Sequence, residues 1–457
     1  MDKNIVKNKF LKAVAALAAA LILAAAALLS GCGILGSMGS TDTRKWVIKT
    51  VKQNYYFYDE MDKTDIDNLS VEEIVARLDI YSEFYTREEL QALIKDNSGQ
   101  KAGVGFSYIH VDAGASSIYP EGGCLIVTVV GNSPAEKAGM KAGQLLVSGT
   151  YDGQTSEFKE VDDVGNFIDP IAAGVKFTLT VSTGESFEVS KQEYTASYMF
   201  MATNASAWTP TFDGDGDANG VKEVADRAIE YLPDGAAYFS MSQFYGGAAD
   251  EFGYLLKEYN AQHCTSLILD LRNNGGGYVD VMQDMAGYFT SSLGKQTRVA
   301  MTARYKSGRE EVADCIYHSI PDSSGRGLVP TGTTVYVLAN SGTASASEAL
   351  IGVLVSYGFL KYENIFLSDY GEEFMKWAGD DYGTAKSYGK GIMQSTFTNY
   401  MTGEALKLTT AQIYWPNGKC IHGVGLTAAD GCRLVEADWL VTPEDDELKK
   451  VITMIKG

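Results

Sequence analysis

Histidine is scarce in this sequence, with four residues in 457, at positions 110, 263, 318 and 422. None belongs to a His-Glu-x-x-His pattern, which leaves little material for a zinc hydrolase. No Gly-x-Ser-x-Gly elbow is present, and no motif pairs a His with a serine. Positive charge is also short: 38 Lys+Arg stand against 58 Asp+Glu, for a formal charge of -20. Such a surface repels a phosphate backbone and argues against nucleic acid as a partner. Six cysteines include no Cys-x-x-Cys pair. No disulfide framework follows from them, and buried free thiols are expected, with Cys420–Cys432 as the alternative pairing. Only 9 Pro, with 45% hydrophobic and 21% charged residues, exclude a collagen-like, disordered or polytopic membrane chain. At about 150 residues per domain, the length suits about three compact units.

The amino terminus carries an address. Lys3, Lys7, Lys9 and Lys12 precede an apolar run from Ala13 to Leu29, followed by Ser30, Gly31 and Cys32. That is the build of an export signal. Small residues before a cysteine resemble the bacterial lipobox, in which the cysteine is acylated and becomes the new amino terminus. The resemblance implies a lipoprotein signal peptide over 1–31 and lipidation of Cys32. It further implies an exported, membrane-anchored lipoprotein of the bacterial cell envelope. The run is at the short end for a membrane span, which disfavours the other reading, an uncleaved anchor.

Residues 32–42 have the Gly and Ser content of a tether. The pattern from Trp46 to Tyr58, with the capping boxes Ser70-x-x-Glu73 and Thr86-x-x-Glu89, predicts a small helical unit over 43–97. From Gly103 the texture becomes strand-like. Ser133-Pro134-Ala135-Glu136 supplies an N-cap, a first-turn Pro and an acidic third residue. Over 194–457 strands and helices alternate, and the apolar runs Leu267–Leu271 and Thr334–Ala339 are those of strands buried on both faces, so an α/β core is expected.

Residues 100–192 resemble a PDZ domain. Gly103-Val104-Gly105-Phe106 is similar to its carboxylate-binding loop, and Ser133 to Gly139 to its short helix. The resemblance implies a peptide groove between Val104–His110 and a helix near Phe158–Ile168. Backbone N–H groups of a Gly-rich turn suit a terminal carboxylate, and an open strand edge suits an extended peptide.

Three clusters in the core could carry chemistry. Asp270-Leu271-Arg272-Asn273-Asn274-Gly275-Gly276-Gly277 ends a buried strand, where glycines let backbone N–H groups approach a ligand. Ser341-Gly342-Thr343-Ala344-Ser345-Ala346-Ser347-Glu348 turns from strand to helix, exposing a serine at the positive helix end. In Tyr388-Gly389-Lys390-Gly391-Ile392-Met393-Gln394, strand alternation is expected to place Lys390, Ile392 and Gln394 on one face. Singly, these are a turn, a cap and a solvated lysine.

Together, in this order and behind a PDZ-like segment, they resemble the carboxyl-terminal processing peptidases, or tail-specific proteases. That resemblance runs from about residue 43 to the end. It implies an α/β catalytic core of ClpP/crotonase type with an inserted PDZ-like β-rich domain and a small N-terminal helical unit. The activity implied is that of a serine endopeptidase, requiring no cofactor, acting on exported polypeptides. Residue by residue it makes Ser345 the nucleophile, Lys390 the general base and Gln394 the orienter of that lysine. The N–H groups of Ala346 and of Gly275 or Gly276 become the oxyanion hole, with Glu348 structural. The sequence departs from the family in a longer segment between Ser345 and Lys390, about Asp369 to Thr384, and in Ser356, where some members carry Asp. Other readings of the same features are a non-catalytic peptide-binding scaffold and a small-ligand carrier.

One constellation stands apart from the family. Asp215, Asp217, Asn219 and, at the twelfth place, Asp226 follow the oxygen spacing of a calcium loop, with Asp in place of the bidentate Glu. The readings are a weak structural calcium site and an acidic surface turn.

Overall fold

The structure is a computed structural model that describes residues 41–114, 119–319, 325–371, 385–438, 440 and 444–456. The signal segment, Cys32, nearly all of the tether and most of the 369–384 insertion lie outside the described residues.

The core is built on five parallel strands: β13 (Ala236–Met241), β14 (Ser266–Asp270), β17 (Thr334–Ala339), β18 (Ile365–Asp369) and β21 (Arg433–Glu436). The two apolar runs supply β14 and β17, at the centre of the group. Their side chains divide by parity, as the pleat requires. Leu267 and Leu269 join a cluster with residues of α6 (Ala248–Ala261), α7 (Val279–Thr290) and α8 (Ala346–Ser356). Ile268 and Leu338 face the other way, onto Leu448, Val451 and Ile452 of α9 (Asp446–Lys456). An antiparallel ribbon, β10 (Met199–Ala202), β11 (Ala207–Phe212) and β12 (Ala218–Glu223), extends the sheet beyond β13 to eight strands.

A second sheet was not legible in the sequence. Its spine is β20 (Ala405–Tyr414), which pairs with β19 (Ile392–Thr398), with β15 (Val299–Tyr305) and with β1 (Glu83–Tyr85). Because β1 comes from within 43–97, that stretch is not purely helical. Its α1 (Thr41–Asn54) and α2 (Val71–Val75) bury Val47, Val51 and Ile74 against Leu406 and Leu408 of β20. The helix starts follow the sequence: Ser70 and Thr86 each close a reciprocal capping box.

Between these parts lies a six-stranded sheet, β3 (Phe106–Val111), β4 (Gly123–Val129), β5 (Leu145–Tyr151), β7 (Lys176–Val181) and β8 (Ser186–Ser190), with β6 (Gln154–Glu157) on β5. It has its own apolar core, including Ile126, Leu146, Val164 and Leu179. The chain enters by β2 (Gln100–Gly103) and leaves by β9 (Gln192–Thr195), and these two strands pair with each other. At the sheet's end β3 has one edge that no strand among the described residues pairs, and α5 (Val161–Ile168) packs across β3 and β4. The five described cysteines are unpaired, as expected, so Cys420 and Cys432 form no bridge.

The helix behind the serine cluster is seated on Trp415, which is 2% exposed at the end of β20. A Cβ added to Gly352 of α8 would lie 2.4 Å from the indole. Gly352→Ala should therefore force helix and ring apart at a cost of about 1–3 kcal/mol. A lowered urea midpoint would register this, and the double variant Gly352→Ala/Trp415→Leu should regain part of the loss.

Candidate active site

Two loops leave the carboxyl ends of adjacent parallel strands, where open α/β sheets present ligands. Side-chain amides stitch them into one block. Asn340 Oδ1 accepts from the N–H groups of Asn273 and Gly342, each at 2.9 Å, and its Nδ2 donates to Asn273 Oδ1 at 2.9 Å. Thr343 Oγ1 donates to the Leu271 carbonyl at 2.7 Å. Asn274, fully buried, accepts at its carbonyl from Ala344 N–H (3.0 Å) and Ser347 Oγ (2.9 Å). Its own amide donates to the Met241 carbonyl (2.9 Å) and accepts from Gly276 N–H (3.0 Å).

Ser345 sits where these loops meet, with φ 58° and ψ -116°, a conformation an L-residue adopts only under constraint. It precedes α8, whose first N–H groups have no partner within the helix. Gly276 lies directly against it. A Cβ there would come within 2.8 Å of Ser345 Cβ and of Ala346 N, and Gly276 has φ +98°. Only glycine fits such an approach. The two glycine candidates differ: Gly276 N–H is committed to Asn274, whereas Gly275 N–H takes part in no hydrogen bond among the described residues. Gly275 and Ala346 thus offer the open donors beside the serine.

The third cluster is fastened to the second by Glu348. This carboxylate is fully buried, and its Oε2 accepts from the N–H groups of both Ser345 (3.0 Å) and Lys390 (2.9 Å). Its Oε1 accepts from Ser387 Oγ (2.6 Å) and Gly389 N–H (2.8 Å). Burial raises its pKa, opposed by those four donors.

The Lys390 ammonium position is also enclosed. Nζ lies 4.4 Å above the centre of the Tyr81 ring, whose hydroxyl meets that of Tyr388 at 2.5 Å. Burial first, and the positive charge of Lys407 second, push the amine down to about 8. Lys390 Nζ and Ser345 Oγ are not hydrogen-bonded here, and uncomplexed sites commonly close such bonds only around substrate.

Gln394 is placed differently from expectation. It does not reach Lys390, and its Nε2 donates to Thr409 Oγ1 at 3.0 Å. The strand begins only at Ile392, after the Gly389–Gly391 stretch that Glu348 and His422 hold, and its register with β20 shifts between Met393 and Gln394. Simple alternation from Lys390 to Gln394 therefore fails.

The calcium spacing also fails as geometry. Asp215 and Asp217 lie in the β11–β12 turn, where their N–H groups donate to Asp213 Oδ1. Asn219 bonds Thr211 Oγ1, and Asp226 falls beyond β12 in a short 3-10 turn, Ala225–Arg227. The intervening strand separates the acids. Among the described residues no group of three His, Cys, Asp or Glu side chains could hold a metal.

Gly103, Val104, Gly105 and Phe106 form the turn from β2 into β3, in the inserted sheet. Gly105 has φ +90°, and a Cβ on it would fall 2.2 Å from Ser133 Cβ. The Val104 and Gly105 carbonyls accept from Ala135 and Val130 N–H. Their own N–H groups donate no hydrogen bond among the described residues.

The block at the sheet's edge invites comparison with known proteins. Residues 235–362, which contain both loops and Ser345, match peptidase family S41. A Staphylococcus haemolyticus protein named a probable CtpA-like serine protease is 25% identical over 384 residues, covering 84% of this chain and 62% of its own length. A Staphylococcus aureus protein of the same name is 23% identical over 382 residues, covering 83% of this chain and 62% of its own. The chain thus spans less than two thirds of these relatives. Among solved structures, an S41 protein from Bacteroides fragilis aligns with a TM-score of 0.55 at 15% identity, over 90% of this chain and 97% of that one. At that identity the likeness concerns the fold. The shared fold is a mixed sheet with helices on both faces, and Lys390 lies outside the residues matched to the family.

Several contributors to the site were not assigned roles from sequence. Asn274 and Asn340 stood in or beside quoted motifs without any sign of what they hold. Arg272 is buried among Asp270 (2.5 Å), Asp445 (2.5 Å) and Glu447 (3.0 Å), tying α9 to the first loop from far along the chain.

All four groups around Glu348 are donors, so replacing one carboxylate oxygen by an amide sets donor against donor. Glu348→Gln should cost about 3 kcal/mol of stability, read as a lowered urea midpoint. Ser345→Ala, which removes no hydrogen bond made to that carboxylate, should cost far less.

Proposed function

We propose that the chain is a lipid-anchored serine endopeptidase that cleaves exported polypeptides, with Ser345 as nucleophile and Lys390 as general base. The observation that carries this reading is the pairing of a conformationally constrained serine at a helix start with a buried lysine whose amine titrates near 8, both fixed to one carboxylate. Serine-protease relatives support the reaction class.

An exposed lysine holds its proton at neutral pH and cannot act as a base. Burial favours the neutral amine, which takes the Ser345 proton as Oγ attacks the scissile carbonyl carbon. The oxyanion falls to the Ala346 and Gly275 N–H groups, and the Lys390 ammonium then delivers its proton to the departing amine. Water repeats the sequence on the acyl-enzyme. The short distance from Glu348 to both partners supports a fixed relation between them without any chemical part for the carboxylate.

The inserted sheet is the proposed recognition module, PDZ-like in use. The free edge of β3 and the unused N–H groups of Val104 and Gly105 support strand addition by an extended segment or a carboxyl terminus. Acylation at Cys32 would hold the enzyme at the membrane, as the signal-like start of the sequence supports.

Hydrolysis of an unfolded test protein should fall at least about a thousandfold in Ser345→Ala and in Lys390→Ala. In the wild type kcat/KM should rise as pH climbs through about 8, because Lys390 becomes a base on losing its proton. Retention of cleavage by Lys390→Ala would overturn the serine–lysine assignment.

A further inference from the structure

Whichever partner accepts the Ser345 proton becomes a buried cation, and the core itself supplies little to balance it. The groups that face Lys390 are Lys407, Asp79, Glu348, Glu83, Tyr81 and Tyr388. Glu83 is engaged by Lys407 at 2.9 Å and by the Tyr85 hydroxyl. Glu348 already accepts four hydrogen bonds. Asp79 is different. Its Oδ1 accepts from Tyr81 N–H at 2.8 Å and from Ser82 Oγ at 3.3 Å, and the Tyr55 hydroxyl, which accepts from Asp79 N–H at 2.8 Å, lies beside the carboxylate, but Oδ2 is buried with no hydrogen-bond partner among the described residues. Nearby, His422 packs its backbone on Gly391 and its ring on Phe57, and its Nδ1 is likewise unpartnered. Burial keeps His422 below its ordinary range, so it adds no charge near pH 8.

We propose that the Asp79–Ser82 segment, which precedes β1 and belongs to the amino-terminal part, completes the catalytic centre: the Tyr81 ring face receives the Lys390 ammonium and the Asp79 carboxylate is its counter-charge. The geometric warrant is the 4.4 Å seat of Nζ over the ring, together with a buried carboxylate oxygen two residues earlier that accepts no hydrogen bond among the described residues. A cation over a desolvated aromatic face is stabilised, and an unpartnered buried carboxylate favours any cation formed within its range. Asp79 forms no ion pair with Lys390 in the resting site, where the amine is neutral for part of the time. It acts as a positioning and electrostatic group, whereas Tyr81 touches the atom that takes the proton.

This inference rests on Lys390 being the base, and the test separates the two. Labelling of Ser345 by a fluorophosphonate is followed against pH: Oγ bonds to phosphorus, fluoride leaves, and the serine proton passes to Lys390. No peptide substrate is involved. The wild-type rate should rise with a midpoint near 8. Asp79→Asn, an isosteric change, withdraws the charge that favours the ammonium, so the midpoint should move about half a unit or more to lower pH while the plateau rate falls about three- to tenfold. Tyr81→Leu should do the same. Tyr81→Phe keeps the ring face and should keep the wild-type midpoint. If Lys390→Ala is inert while Asp79→Asn and Tyr81→Leu both retain the wild-type midpoint, the inference fails and the serine–lysine reading stands. If Lys390→Ala labels at the wild-type rate, both fail.

Discussion

A single carboxylate sets the distance between two parts of the chain that must work together. Glu348 is one helical turn beyond Ser345, so its side chain can return to the serine N–H, as a capping-box glutamate does. Here the same oxygen also binds Lys390 N–H, and the second oxygen binds two more donors from the lysine loop. Burying a charge is unfavourable unless donors surround it, and four are present. A helix cap and a tertiary clamp are thus one interaction. The long intervening segment can vary without loosening the serine from the lysine, since the fastening lies at its two ends.

With Lys390 as the proposed base, that clamp also accounts for why a lysine suits this position. A base must be poised near the working pH, and an amine reaches that range only in a dry site. The same dryness makes the protonated form costly, which gives weight to every nearby aromatic face and carboxylate. Enclosure of Lys390 therefore both suits it to the proposed role of base and makes its surroundings consequential.

The sequence revealed the parts of this site that depend on local pattern. Apolar runs gave β14 and β17, Ser-x-x-Glu spacings gave the helix starts, and the three motifs located Ser345, Ala346, the glycines and Lys390. What it could not convey were contacts between distant segments. Nothing near Asn340 announces that its amide will fix Asn273, and nothing near Tyr81 announces that Lys390 will lie over its ring. The expected role of Gln394 failed because a period of two holds only along an unbroken ladder, and the register slips there. The calcium spacing failed for a related reason: a strand passes through the middle of what looked like a loop. The second sheet stayed hidden because its strands are drawn from widely separated stretches, β1, β15, β19 and β20.

The paired strands β2 and β9 bring the inserted sheet's two chain ends side by side, about 5 Å apart as neighbouring strands must be. Topologically the rest of the molecule is then almost a continuous chain, interrupted at one point. The two parts can accordingly diverge on separate schedules: the inserted sheet can be exchanged, reshaped or enlarged between Gly103 and Gln192 while the two ends keep their ladder. The molecule, seen this way, is an engine with an interchangeable front end.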